Sequence, residues 1–355
     1  MSNIRVLVVG LGNMGLSHAR AYAAIDGFEI AGLCSRDIEA RPGIAAEFPG
    51  VARFGDYAAA LKATRPDAVS INTWPDTHAA FARAALNARA HVFIEKPLAE
   101  TVAEAEEIVA LAGARGLKLM IGYILRVHPS WAKFVEIGRT LGKPLVMRMN
   151  LNQQSSGAQW ATHKKLMETV SPIVDCGVHY VDVMCQVTGA KPVRVHALGA
   201  RLSDEIAPSM YNYGCLQVAF DDGSVGWYEA GWGPMMSETA FFVKDMVGPK
   251  GAVSIAMDES KTESSDVDSH TKTSALRVHH AALGADGRLA HRDEIFHMDD
   301  EPGHQELCNR EQRAFLKAIR ENEDLAEHAR GAIDSLRIVL AADESIRTGQ
   351  VVAMA

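Results

Sequence analysis

The sequence predicts two domains: an α/β domain on a doubly wound parallel sheet, then an α+β domain with a large, mostly antiparallel open sheet. Three observations carry this prediction. Short apolar runs alternate with alanine-rich helical stretches over the first 123 residues. A G-x-G-x-x-G stands between the first run and the first helix. From about Arg126 the runs become period-two strands joined by tight turns.

The early runs cover 4–9, 28–34, 68–73, 91–95 and 117–123, each nearly free of charge inside, as strands covered on both faces are. Asp56 caps a helix over 57–64, and Asp76 caps a stretch reaching Asn87. Thr101-Val-Ala-Glu104 is a capping box for a helix to about Arg115, with Gly116 as its stop. Strands alternating with helices mean βαβ units with right-handed crossovers, a Rossmann arrangement. In the second part strands are expected over 145–151, 193–200, 214–220, 225–232 and 276–283, with Val193, Val195 and Ala197 facing one way. Asp221-Asp222-Gly223-Ser224 reads as a hairpin turn and Asp286-Gly287 as another. The polar stretch 258–273 reads as a mobile excursion, and helices are expected over 305–321 and 327–348. The expected division is 1–123 and 124–355, with the C-terminal helices able to pack back on the first domain.

At roughly 150 residues per domain, 355 residues suit this division. Hydrophobic content of 48% with 23% charged residues excludes a disordered or fibrous chain. A net charge of −8 argues against a nucleic-acid binder. The five cysteines form no C-x-x-C pair, which points to no metal and no disulfide framework. No apolar run approaches the roughly 18 residues of a membrane span, and Met1-Ser2-Asn3 leads straight into a strand. The expectation is a soluble cytoplasmic protein.

Gly10-Leu11-Gly12-Asn13-Met14-Gly15 has the context a dinucleotide site needs, a strand before it and a helix after it. Gly10 permits the tight turn, Gly12 admits a pyrophosphate, and Gly15 lets helix and strand pack closely. Twenty residues on, where an acid would hold a ribose 2′-hydroxyl, stands Ser35, followed by Arg36. The pair suits a 2′-phosphate, so NADP is expected ahead of NAD. Asp37, close by, could do the missing acid's work.

Glu95-Lys96-Pro97 ends the fifth run. With the fingerprint, His91-Val-Phe-Ile-Glu95-Lys96-Pro97-Leu98-Ala99 and Asp175-Cys-Gly-Val-His179-Tyr-Val-Asp182, the chain resembles the Gfo/Idh/MocA oxidoreductases, sugar and inositol dehydrogenases. The resemblance implies that Lys96, Asp175 and His179 surround the reacting carbinol. Independently, Lys96 follows a strand end, where ligands of open α/β sheets bind, and an ammonium there can stabilise a developing alkoxide. Ser171-Pro172 and Gly189 frame a helix of some 17 residues that puts Asp175, His179 and Asp182 on one face. A carboxylate beside an imidazole suits a proton acceptor. The chain departs from many relatives at Glu168-Thr-Val-Ser-Pro172, where they are glycine-rich, and at Trp74, where they carry Thr or Ser.

The expected cofactor contacts are Gly10, Gly12, Asn13, Met14, Gly15, Ser35, Arg36, Thr73, Trp74, Pro75, His78, Glu95 and Lys96. The expected substrate contacts are Lys96, Tyr123, Arg126, His128, Trp160, His163, Asp175 and His179. The reading is hydride transfer between NADP or NAD and a secondary hydroxyl of a sugar, inositol or related polyol. Two other readings stay open: a redox-neutral glycosidase that retains its nicotinamide, and a dinucleotide-binding sensor without activity. A homodimer or homotetramer is expected through the second domain's sheet, where Trp227 and Trp232 read as packing or contact residues.

Overall fold

The structure, a computed structural model, describes residues 2–237, 243–256 and 273–354. The expected excursion at 258–273 lies outside the described residues except for Thr273. The chain forms two compact units, Met1–Ile124 with Gly303–Ile333 and Leu125–Pro302 with Asp334–Ala355.

The first unit runs β1 (Ile4–Val9), α1 (Asn13–Ala24), β2 (Phe28–Cys34), α2 (Pro42–Glu47), β3 (Arg53–Phe54), α3 (Tyr57–Thr64), β4 (Ala68–Ile71), α4 (Pro75–Asn87), β5 (His91–Ile94), α5 (Val102–Arg115) and β6 (Leu119–Ile121). The strands are parallel in the order β3-β2-β1-β4-β5-β6. Sequence direction reverses between β1 and β4, the switch point at which such sheets bind ligands. The caps work as their residue types dictate. Asp56 accepts from the Ala59 N–H at 2.8 Å, and Thr101 from that of Glu104 at 3.2 Å. One expected cap differs: α4 begins a residue earlier, with Trp74 at the cap and Pro75 at N1, so Asp76 lies in the first turn. Proline's fixed φ and missing donor suit that first position.

The second unit contains α6 (Pro129–Thr140), β7 (Val146–Gln154), α7 (Gly157–Leu166), α8 (Pro172–Asp175), α9 (Gly177–Thr188), β8 (Pro192–Ala200), β9 (Tyr213–Phe220), β10 (Val225–Gly233), β11 (Lys244–Gly248), β12 (Gly251–Ala256), β13 (Ala275–His280) and β14 (Glu294–His297). Among the described residues its nine strands lie in the order β14-β13-β12-β11-β7-β10-β9-β8-β15, with β15 at Val352–Ala353. Every neighbouring pair is antiparallel except β7 and β10, which makes the sheet mixed. On one face Tyr228 stacks on Tyr180 of α9 (centroids 5.2 Å apart), with Trp131 of α6 edge-on to Tyr180 at 5.6 Å. The other face carries exposed Val146 and Val225 and half-buried Trp227 around a groove of about 750 Å³. The C-terminal helices are α10 (His304–Arg320) and α11 (Ala326–Thr348). α10 lays Leu307, Phe315 and Ala318 inward and packs on α1 within the first unit. α11 passes from one unit into the other at Ile333. No helix among the described residues is long and apolar enough to cross a membrane.

Three expectations are corrected. Val193 does not share a face with Val195 and Ala197, because a register shift between Pro192 and Arg194 turns it outward. Trp227 and Trp232 are five apart, so the pleat sends them to opposite faces, Trp232 inward and Trp227 toward the groove. The helix expected from Pro172 is broken at Cys176 into α8 and α9.

Candidate active site

In the first unit the Gly10–Gly15 loop follows β1 at the switch point. Gly10 has φ +79°, and a Cβ there would lie 2.5 Å from the Asn72 carbonyl oxygen. A Cβ on Gly15 would lie 1.8 Å from the Gly10 oxygen, so both positions are closed to any side chain. Gly12 differs, for a Cβ there meets nothing within 4 Å. It is the N-cap of α1 with no side-chain cap, which leaves open space in front of unpaired helix N–H groups. Such a cradle fits a pyrophosphate.

At the end of β2, Ser35 is half-buried and its hydroxyl donates to the exposed Asp37 carboxylate. That bond is the main cause holding the Asp37 carboxyl below its usual range. Arg36 is exposed. Sequence reasoning missed Arg41, whose guanidinium donates to the Leu11 carbonyl at 2.5 Å and stands 4.0 Å from Asp37. It places a second cation between the fingerprint loop and the β2 end. Only its distance from the fingerprint in sequence concealed it.

The loop after β4 is braced internally. Thr73 and Thr77 hydroxyls bond at 2.6 Å, and Trp74 is 44% exposed. His78 is buried between two carbonyl acceptors, its Nδ1 2.7 Å from that of Pro97 and its Nε2 3.0 Å from that of Thr73, and the neutral ring donates to one of them, beside the β4 and β5 ends. Burial lowers its pKa. Lys96 follows β5 with its backbone N–H 3.3 Å from the carboxylate of Glu95. Glu95, expected at the cofactor, is buried and accepts from His18 at 2.8 Å. Tyr123, just past β6, is buried.

His18, Cys308 and Glu311 are grouped closely enough to suggest metal ligands. Both ring nitrogens of His18 are already engaged, by Glu95 and by Gln312, which argues against a ligand set.

In the second unit Ser171 caps α8, accepting from the Val174 N–H at 3.1 Å, and Gly189 closes α9. Asp175 stands at the end of α8 and His179 in the first turn of α9, where His179 is buried. The Cys176 thiol lies 3.6 Å from the Asp175 carboxylate. Asp182, next along that stripe, is buried and paired with Arg126 through two bonds of 2.8 and 2.5 Å. Arg126 is thus committed to α9. His128 is buried, its Nε2 3.9 Å from Glu301. Trp160 is buried with its indole N–H donating to Glu205 at 3.1 Å. His163 stacks on Trp232 (4.5 Å, 14°) and bonds the Ser155 hydroxyl at 2.9 Å. Burial pushes the His163 pKa down to about 4 against the opposing charge of Asp175.

Residues 4–123 match the family model "Oxidoreductase family, NAD-binding Rossmann fold", and residues 136–244 match "GFO/IDH/MocA C-terminal domain". UDP-N-acetylglucosamine 3-dehydrogenase of Acidithiobacillus ferrooxidans is 35% identical over 204 residues, 56% of this chain and 59% of that enzyme. Inositol 2-dehydrogenase of Salmonella typhimurium is 29% identical over 184 residues, 50% of this chain and 52% of that enzyme. The chain thus spans between half and three-fifths of the length of these curated relatives. The solved structure of the Acidithiobacillus enzyme superposes with a TM-score of 0.76 at 24% identity, covering 98% of this chain and 99% of that one.

Proposed function

The chain belongs to the Gfo/Idh/MocA oxidoreductase family, and on that premise we propose that it is a dehydrogenase acting on a secondary hydroxyl of a sugar, inositol or related polyol. The observation that carries the proposal is Lys96, placed at the carboxyl end of β5 in the same sheet as the open Gly12 cradle. A nicotinamide dinucleotide, when bound, supplies the acceptor for the hydride of the carbinol carbon. The α1 N-terminus and the Gly10–Gly15 loop would hold its pyrophosphate, with Thr73, Trp74 and Pro75 as further contacts. Ser35, Arg36 and Arg41 favour a 2′-phosphate, hence NADP ahead of NAD. The Lys96 ammonium polarises the reacting oxygen, His179 takes its proton, and Asp175 orients the imidazole.

In this reading the first unit binds the dinucleotide and supplies Lys96, and the second supplies the remaining substrate residues and the assembly surface. The names of the relatives support the substrate class: one acts on a nucleotide sugar and another on inositol.

The test is a panel of polyols, aldoses and sugar derivatives with both dinucleotides, following nicotinamide reduction. Lys96→Met should lower turnover by a factor on the order of 10² while leaving dinucleotide binding nearly intact. His179→Ala should do the same, with partial recovery at high pH as solvent replaces the base. Near-wild-type turnover in either variant rejects these roles. Glycoside cleavage without net reduction would select the redox-neutral reading instead.

A further inference from the structure

Behind Lys96 in the first unit lies a set of buried polar side chains to which the proposed chemistry gives no part. The Glu95 carboxylate is its centre. Oε1 accepts from His18 Nε2 at 2.8 Å, and Oε2 from the Lys96 backbone N–H at 3.3 Å. His18 is wholly buried on α1, edge-on to Phe93 at 4.8 Å, and its Nδ1 faces the Gln312 side-chain nitrogen at 2.9 Å. A carboxylate only accepts, so the His18 Nε2 proton is aimed at Glu95. A Cβ on Gly122 would lie 3.2 Å from Glu95 Oε1, so this glycine leaves the carboxylate its room.

α10 brings in Glu311, also buried, whose Oε2 has no partner among the described residues. Burial raises the Glu311 carboxyl well above its usual range, and the charge of Glu95 acts the same way. Burial works on Glu95 too, but the His18 bond and the charge of His18, and after them the Lys96 ammonium and backbone N–H, outweigh it and hold Glu95 below its usual range. Two interacting buried carboxyls keep one charge between them, and here it rests on Glu95. Around that charge stand His18 and Tyr22 of α1, His78 of α4, Glu311 of α10 and Lys96.

We propose that Glu95, locked in place by His18, is the positioning residue of Lys96, fixing the backbone that carries the lysine and supplying the countercharge for its ammonium. The inference rests on the role given to Lys96 above, but its main readout needs no substrate.

Lysine labelled with ¹³C at the ε-carbon is titrated by NMR, and the Lys96 signal is assigned by its loss in Lys96→Met. In Glu95→Gln the Lys96 amine should lose its proton about one pH unit lower than in the wild type, the usual effect of removing a close countercharge. His18→Asn, which frees the carboxylate but keeps it, should move the titration by less. Glu311→Gln should leave it in place, because the amide copies a protonated carboxyl. Where substrate turnover is measurable, its alkaline limb should follow the NMR titration while the dinucleotide Kd stays within about threefold, a change below 1 kcal/mol. An unchanged Lys96 titration in folded Glu95→Gln overturns the proposal. If that variant does not fold, an unchanged titration in His18→Asn does so. A shifted titration in a protein that oxidises no polyol upholds the positioning and rejects the catalytic role of Lys96.

Discussion

Ser35 carries much of the proposed cofactor preference. A carboxylate at this position would bind a ribose 2′-hydroxyl and repel a 2′-phosphate; the hydroxyl does neither, and it engages Asp37 instead. Arg36 and Arg41 add positive charge nearby. Wild-type kcat/KM should therefore favour NADP, and Ser35→Asp should move the ratio toward NAD by about tenfold, or 1.4 kcal/mol. A wild-type preference for NAD beyond that factor, at fixed ionic strength, would show that these residues were misread. His163 makes a second prediction at this scale. Its folded pKa, about 4, lies below the ordinary 6.5, so the unfolded chain binds the proton more readily. Stability from this group is therefore complete above about pH 6.5 and declines as pH falls toward 4, by at most about 3 kcal/mol. His78 and His91 are pushed the same way by burial. His163→Phe should flatten part of the acid limb in urea unfolding between pH 7.5 and 5, and an unaltered slope would contradict the burial argument. Trp160 and Arg126 show where residue-level reading stops. A tryptophan among polar neighbours suits a sugar ring, yet its N–H is spent on Glu205, while Arg126 is spent on Asp182. Nothing local in the sequence announces either pairing.

At the scale of the element, the three fingerprint glycines are not equivalent. Gly15→Ala would drive a Cβ into the Gly10 carbonyl, so it should cost more than about 3 kcal/mol and lower Tm sharply. Gly12→Ala meets open space and should cost under about 1 kcal/mol, yet weaken dinucleotide binding tenfold or more, because its methyl enters the cradle. Thermal unfolding and dinucleotide titration of the two variants should separate fold from binding. Equal loss of stability in both would deny the cradle. The same loop was legible in the sequence because strand, glycines and helix are consecutive. The break at Cys176 was not, since both sides keep helical spacing. There α9 starts on Gly177, where a Cβ would lie 3.1 Å from the Tyr228 ring. That demand comes from the sheet below, not from the helix.

At the scale of the whole molecule, the open sheet face of the second unit calls for cover. Val146 and Val225 pair across β7 and β10 and are each 44% exposed, with Trp227 beside them. The proposed cover is a second copy of the chain. Light scattering at micromolar concentration should give a dimer or tetramer, and Trp227→Glu should shift it toward monomer without lowering the fold's intrinsic stability by more than about 1 kcal/mol. A wild-type monomer would overturn this. Trp232→Glu should instead unfold the unit, because that ring is buried on the other face under His163.

By itself the sequence determined whatever depends on neighbours along the chain. Apolar period set the strands and helices, the capping residues set most of their ends, and the Gly10–Gly15 and Glu95-Lys96-Pro97 motifs set the two loops that carry the proposed chemistry. The tertiary structure alone decided which distant groups meet. His18 reaches Glu95 across 77 positions and Gln312 across 294, and α10 joins the first unit after all of the second sheet but β15 has intervened. It also decided that β7 and β10 run parallel within an otherwise antiparallel sheet, and that a bulge turns Val193 outward. The physical reason is that period and propensity record only the local free energy of the backbone and the face each residue presents. Burial of a charge is settled by the partner that packs against it, and that partner is chosen by the fold as a whole.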